Sequence, residues 1–201
     1  GGSGMNMIGL QHDLRHGPYS VYLFEYSDGR KYVGSTGQKP ENRWKKGYNP
    51  QVTAANEREG GIDKVKKSVL RTGLNKQENR FFEPFYAAKH KAYTNGYNIL
   101  PSGSSCAVLQ IDKENFEPVA RWDSAYQAEK ALGIPHNNIL EAIHGKKRHS
   151  AGGFYWCYAN CLYLPEHLQR IMDKAKEKAA TTAAECSTVA EKGDSAIDKE
   201  E

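Results

Sequence analysis

The sequence predicts an α+β protein, with a small antiparallel sheet and flanking helices, followed by a second small domain made of a β-hairpin and a helix-turn-helix. Three observations carry that reading. Residues 20–37 alternate as two strands around an Asp-Gly turn. Helix-like stretches punctuated by Pro, Asn and Gly then alternate with a strand-like run up to about residue 100. Beyond "PSGSS" (101–105) the pattern restarts with a hairpin and two short helices. A chain of 201 residues has room for one ordinary domain or two small ones.

Residues 1–17 read as a tag, "GGSG", and an N-terminal extension. In the first domain (18–100), "SVYLFEY" and "KYVGST" are strands joined at Ser27-Asp28-Gly29-Arg30. Pro40 opens a helix in "PENRWKKG", with acid in its first turn and Gly47 ending it. "TAANEREGG" is a short helix stopped by Gly60-Gly61. "IDKVKKSVLRTGL" reads as a strand with Val65, Val69 and Leu70 as apolar contacts. "NKQENRFFEPFYAAKHKAY" reads as a helix, although Pro84 would ordinarily kink or break it. "TNGYNI" is a turn leading into an extended piece.

Residues 101–106 form a linker of turn and flexible residue types. In the second domain (107–160), "AVLQIDKENFEPVARW" is a hairpin. "DSAYQAEKALG" is a helix with Asp123 or Ser124 as N-cap, Ala125, Ala128 and Leu132 on one face, and Gly133 at its stop. "IPHNNILEAIHG" gives a second short helix from near Pro135 to Gly145, and a helix, a Gly-containing turn and a helix make the helix-turn-helix pattern. Lys146, Lys147, Arg148 and His149 follow, then "AGGFYWCY" as a closing strand. A polar helix within 161–182, running from Pro165 to about Ala180, and an acidic, disordered tail over 183–201 complete the expectation.

No apolar run is long enough for a transmembrane helix, and nothing resembles a secretory signal. Cys106, Cys157, Cys161 and Cys186 do not form a disulfide framework by spacing. Cys157 and Cys161, four apart, lack the second ligand pair of a zinc site. The expected setting is a reducing cytoplasm, the interior of a bacterial or phage-infected cell. The net charge of +4 hides an asymmetry: from Ala184 on, six acids face two lysines, a balance of −4, which leaves +8 on the rest. A basic body suits a polyanionic partner, though a solvated surface can carry the same charge.

Taken singly, the chemistry-bearing residues have ordinary explanations. Tyr22 and Tyr32 suit strands, Arg43 suits a solvated helix, and Asn98 suits a turn. Glu83, set in "RFFEPFY", is less ordinary, because a carboxylate among aromatics calls for a partner or a metal. Together, in about 80 residues, these five resemble the GIY-YIG nucleases. The first signature tripeptide appears as "VYL" (Val21–Leu23) and the second as "YVG" (Tyr32–Gly34), followed by "STGQKPENRW" with Arg43. "ENRFFEPFY" resembles the helix bearing the family's metal-binding glutamate, and "TNGYNI" the segment with its asparagine. Two departures stand out. The first tripeptide lacks the usual glycine and isoleucine, and Gly47, with Tyr48 after it, stands where the family often has a histidine or tyrosine one turn after the arginine.

The resemblance implies phosphodiester hydrolysis. Tyr22 would help deprotonate the water and Tyr32 orient it. Arg43 would clamp the phosphate, Glu83 would hold a single Mg2+ (or Mn2+), and Asn98 would support the site's geometry. An ordinary tyrosine, with a pKa of ~10, is a poor base at neutral pH. Lys31 or Arg43 is the expected cation that lowers it. The second domain resembles the nuclease-associated modular DNA-binding domains at the C-termini of homing endonucleases, through "SAYQAEKALGI", "NNI", "GKKR" and "AGGFYW". That implies base-edge contacts from Asn137 and Asn138, and phosphate contacts from Lys146, Lys147 and Arg148. Lys45 and Lys46 are further phosphate candidates. The expected activity is a metal-dependent endonuclease of the homing or mobile-element kind acting on double-stranded DNA, as a monomer or a transient dimer. The alternatives are a non-catalytic DNA-binding repressor with an inactive nuclease-like domain, or an RNA-processing or restriction-type nuclease.

Overall fold

The computed structural model describes residues 17–45, 47–101 and 105–194. Lys46, the N-terminal extension up to residue 16, the centre of the linker and the tail from residue 195 lie outside the described residues. The chain up to Pro165 forms one compact unit, and the segment from Glu166 on forms a second.

The predicted hairpin is present as β1 (Tyr19–Glu25) and β2 (Lys31–Thr36), with Tyr22 opposite Gly34 and Phe24 opposite Tyr32. Its turn is closed by the Tyr26 N–H donating to the Arg30 carbonyl (3.0 Å) and the Arg30 N–H donating to the Asp28 carboxylate (2.9 Å). β3 (Lys66–Leu74) pairs antiparallel on the other side of β1, so β1 is the centre of a β2-β1-β3 sheet. The β1–β3 register shifts between Val21 and Tyr22, beside the first tyrosine. Irregular pairing of this kind re-aims side chains next to functional sites.

Strand alternation sends Tyr22, Phe24 and Tyr26 to one face, where they pack with Val52 and Ala55 and with Trp44, Tyr48 and Tyr97. Two helices supply that cover. α1 (Pro40–Arg43) is a single turn begun by proline, and α2 (Pro50–Arg58) is capped by the Asn49 side chain on the Val52 N–H. Of the three apolar contacts expected from β3, only Val65, just before the strand, is buried; Leu70 is half-buried and Val69 is 43% exposed. Among the described residues β3 has only β1 beside it, so strand membership there does not bring burial.

α3 (Lys76–Lys89) runs straight through Pro84. Proline leaves the Arg80 carbonyl without its helical donor and costs about 3 kcal/mol in a helix interior. The helix withstands it because Phe82, Phe85 and Tyr86 are buried around that turn, each worth about 1.5–3 kcal/mol. A capping box between Asn75 and Glu78 also fixes its start.

The second predicted domain contains β4 (Val108–Ile111) and β5 (Pro118–Trp122) as a hairpin, then α4 (Ala125–Leu132) and α5 (His136–His144), then β6 (Tyr155–Tyr158) back beside β4. Ser124, not Asp123, caps α4, and Gly133 and Gly145 end the two helices. Ala125 and Ala128 of α4, Ile139, Ala142 and Ile143 of α5, and Trp122 and Trp156 of the sheet share one core, with Leu132 against it. Two predicted domains therefore fold as parts of one compact unit. Tyr86 of α3 donates its hydroxyl to the Glu117 carboxylate, 2.5 Å to each oxygen, just ahead of β5.

α6 (Glu166–Asp194) corrects the expected end of the chain, for Ala183–Asp194 is helical rather than disordered. The segment lacks apolar periodicity, but it holds several alanines, the best helix formers. Thr181, Thr182 and Thr188 also satisfy their hydroxyls on carbonyls four residues back.

Candidate active site

The register of the hairpin builds the first half of the site. Tyr22 is fully buried, its ring 6.4 Å from that of Tyr32 and 6.2 Å, edge-on, from that of Trp44. The opposing residue has to be Gly34, because a Cβ there would fall 2.5 Å from the Tyr22 hydroxyl. The second tripeptide ends in glycine to leave room for the tyrosine of the first.

Arg43, at the end of α1, lays its guanidinium 4.7 Å from the Tyr48 ring centroid and donates to the Gly47 carbonyl at 2.8 Å. Gly47 has φ +92°, which strains any L side chain, and a Cβ there would crowd the guanidinium at 3.2 Å. Glycine at this departure from the family pattern therefore has a backbone cause. Tyr48, the next residue, carries the aromatic ring into the cluster, edge-on to Tyr32 at 6.1 Å.

Glu83 reaches the site from α3. Its carboxylate accepts a hydrogen bond from the Ser35 hydroxyl, which in turn accepts one from the Asn79 amide (3.1 Å) one helical turn before Glu83. The Asn98 amide makes both bonds of a strand partner to Val33: it accepts from the Val33 N–H and donates to its carbonyl, each at 2.8 Å. Asn98 thus pins the open edge of β2 midway between Tyr32 and Gly34.

Electrostatics correct one expectation. Burial pushes the Tyr22 phenol far above its ordinary value, and Tyr32 and Tyr48 push it further; Arg43 pulls it down without prevailing. Lys31 is engaged elsewhere, 4.0 Å from the Glu25 carboxylate. In the DNA-free protein Tyr22 is therefore a neutral phenol, not a base primed by a cation. Burial raises Tyr32 as well, with Glu83 adding and Arg43 opposing. Tyr48 is pushed up to about 12 by burial, against the pull of Arg43. Burial also raises Glu83 above the usual carboxylate range, although the Ser35 hydroxyl and Arg43 both favour its charged form.

Three side-chain polar atoms among the described residues are buried without a hydrogen-bond partner: the Tyr22 hydroxyl, the Trp44 indole nitrogen and the Asn79 amide oxygen. All three belong to this one cluster. The hydroxyls of Tyr32 and Tyr48 are near enough to shift the Tyr22 phenol. Each orphan costs about 1–3 kcal/mol.

Residues 18–98 match the GIY-YIG catalytic domain. No curated protein and no solved structure matches the chain. The GIY-YIG domain implies nuclease-type cleavage of DNA.

Within the GIY-YIG domain, Tyr22, Tyr32, Arg43 and Glu83 act on one another electrostatically, and Asn98 holds the strand between them. Trp44, Tyr48 and Asn79 complete the cluster. Asn79 could have been found from its position four residues before Glu83, on the same helical face. Tyr93 also belongs nearby: burial, then Glu83 and Cys161, push it up to about 12. No sequence signal marks it. Among the described residues no three His, Cys, Asp or Glu groups converge as a metal site, and Cys157 and Cys161 are in no disulfide. A lone carboxylate fits Mg2+, which keeps several waters and takes substrate phosphates into its shell.

Lys45 is exposed on the GIY-YIG domain, while the other described DNA-contact candidates lie in the second module. Asn137 and Asn138 are in the first turn of α5, with Asn137 exposed and Asn138 half-buried. Lys146, Lys147 and Arg148 are exposed in the loop after it. Two of these three already have an acid: Glu141 of α5 receives Arg148 at 2.9 Å and Lys147 at 3.8 Å.

Proposed function

We propose that the protein is a divalent-metal-dependent DNA endonuclease of the homing or mobile-element kind. Its GIY-YIG domain cuts, and its second module holds a specific duplex site through a helix-turn-helix. The observation that carries the reading is the gathering of three unpartnered buried polar atoms around Tyr22, Arg43 and Glu83.

Hydrolysis requires that an attacking water lose a proton, that charge on the phosphoryl oxygens be stabilised and that the leaving oxygen be accommodated. Arg43 offers a planar fork for the phosphate. One of its bonds goes to the neutral Gly47 carbonyl, which a phosphate anion would displace with a stronger, charge-assisted bond. The Tyr22 hydroxyl lies behind that arrangement, out of reach of solvent. Moving Arg43 and Tyr48 would give water access to it. Tyr22 would then act in its phenolate form, taking the water's proton to become the phenol, and Tyr32 would orient the water. Glu83 would hold a Mg2+ or Mn2+ ion, which supplies Lewis-acid stabilisation of the phosphoryl charge. In the second module, the start of α5 supports major-groove contacts by Asn137 and Asn138, and the following loop supports phosphate contacts.

Glu83→Gln tests the assignment. Cleavage of plasmid DNA with magnesium should fall by about three orders of magnitude, while the gel-shift affinity is kept. Cleavage by the wild type that EDTA does not stop would overturn the metal. A gel shift with no wild-type product would favour the non-catalytic repressor. The variant should also melt higher than wild type at neutral pH. A raised folded-state carboxyl pKa means that the charged form is disfavoured in the folded protein. The gain is therefore full above that raised value and vanishes as pH falls below the ordinary carboxylate range.

A further inference from the structure

A cleft of about 590 Å3 lies away from the catalytic cluster, between α2, the hairpin tip and the loop before Asn98. Arg30, Gln51, Arg58, Asn95, Gly96 and Tyr97 line it. Two guanidiniums converge there on one phenol. Arg30 sits 5.8 Å from the Tyr97 ring centroid, and Arg58 donates to the Tyr97 hydroxyl at 2.9 Å. Tyr97 is itself fixed: its backbone N–H donates to the Lys31 carbonyl (2.9 Å) and its carbonyl accepts from Asn49 (3.1 Å).

Two like charges held around a neutral ring repel one another unless an anion lies between them. Among the described residues one acid pairs with them, Asp28, 3.9 Å from the Arg30 guanidinium and 3.4 Å from the Tyr97 hydroxyl. The other nearby acid, Glu59, is bonded to the Ser27 N–H and hydroxyl, both at 2.8 Å. One positive charge is thus left uncompensated in a concave site that also offers the amides of Gln51 and Asn95. That is the recognition chemistry of a phosphate.

The cleft is aligned with the catalytic cluster. Tyr22, Phe24 and Tyr26 share one face of β1, and the Tyr26 ring meets Tyr97 edge-on at 5.2 Å. Tyr26 lies four residues from Tyr22, about 13 Å along the strand, which is the axial span of about four nucleotides of one DNA strand.

We propose that the Arg30–Arg58 cleft is a second phosphate subsite, which grips a backbone phosphodiester of the same DNA about four or more nucleotides from the scissile bond. The proposal rests on the DNA-cleaving reading of the domain and adds where the duplex lies upon it. The subsite gives affinity and register, with no part in the chemistry.

The test measures binding of a labelled duplex in EDTA across a salt series, using the full chain. Arg30→Gln/Arg58→Gln should bind about tenfold more weakly at 0.1 M salt, and the slope of log affinity against log salt should fall by about one. Arg30→Lys/Arg58→Lys, which keeps the charge, should recover most of both. Unchanged affinity and slope in the Gln variant, with an unaltered circular dichroism spectrum, overturn the proposal. A second arm titrates inorganic pyrophosphate against each form. Competition with duplex that disappears in the Gln variant supports the subsite. Pyrophosphate binding that the Gln variant loses while its DNA affinity is unchanged assigns the cleft to a free anion and overturns the DNA role. Failure of the nuclease reading is distinguishable, because it appears as absence of cleavage by the wild type with magnesium, whatever the binding data give.

Discussion

Tyr22 concentrates the site's conflict between stability and reactivity. Its hydroxyl is buried, unpartnered and held neutral by its surroundings. Tyr22→Phe should therefore leave the protein as stable as wild type or more so, because the orphan of about 1–3 kcal/mol is gone. Cleavage should fall by about 10²- to 10⁴-fold, the usual worth of a general base. A pH profile separates this role from simple packing. Since the phenol titrates far above neutrality, its base form grows about tenfold per pH unit. The wild-type rate should climb through pH 7 to 9 without levelling, and the Phe variant should lose that climb. A flat wild-type profile would remove Tyr22 as the base. At this scale the sequence was legible for which side chains gather and silent on their surroundings. Tyr22, Tyr32, Arg43, Glu83 and Asn98 could be picked out by family order. That burial outweighs Arg43 at Tyr22 depends on neighbours the fold brings together and cannot be read locally.

Among the elements, the edge of β2 is the most exposed to loss. Its Val33 backbone is bonded by a side chain, not by a strand, through both polar ends of the Asn98 amide. Asn98→Ala should cost about 1–3 kcal/mol, with faster hydrogen exchange at the Val33 amide and a larger loss in kcat than in DNA affinity. Exchange at Val33 equal to wild type would show that another group holds the edge. Most elements were legible from their ends: the Asp-Gly turn, Pro40, and the glycines closing α4 and α5. The misreadings have separate causes. Pro84 suggested a break, but buried aromatics on both sides outweigh one missing hydrogen bond. Val69 looked like core from its apolarity, although edge strands do not guarantee cover. The acidic end of α6 looked unstructured because periodicity reports a buried face, and a helix built on alanine and threonine back-bonding needs none.

On the scale of the whole molecule, the restart of pattern after residue 105 correctly marked a second sheet, but not that both sheets belong to one compact unit up to Pro165. The contact between them is specific. Tyr86, three residues after Glu83 on α3, is buried and donates to Glu117 of the second module. Under the proposed function, with the two modules packed in one unit, the distance from bound site to cut bond should be fixed. Tyr86→Phe, which removes only that hydrogen bond, should broaden the spread of cut positions when product ends are sequenced, with little change in total cleavage. An unchanged spread would mean that packing elsewhere sets the distance.

The orphaned hydroxyl also bears on the history of the chain. A lineage that had abandoned DNA cleavage and kept only its grip on DNA would gain from drifting to phenylalanine at position 22. One nucleotide change suffices, the ring still fits against Gly34, and the folded state improves. Tyrosine at position 22 is therefore a residue that the fold alone does not call for.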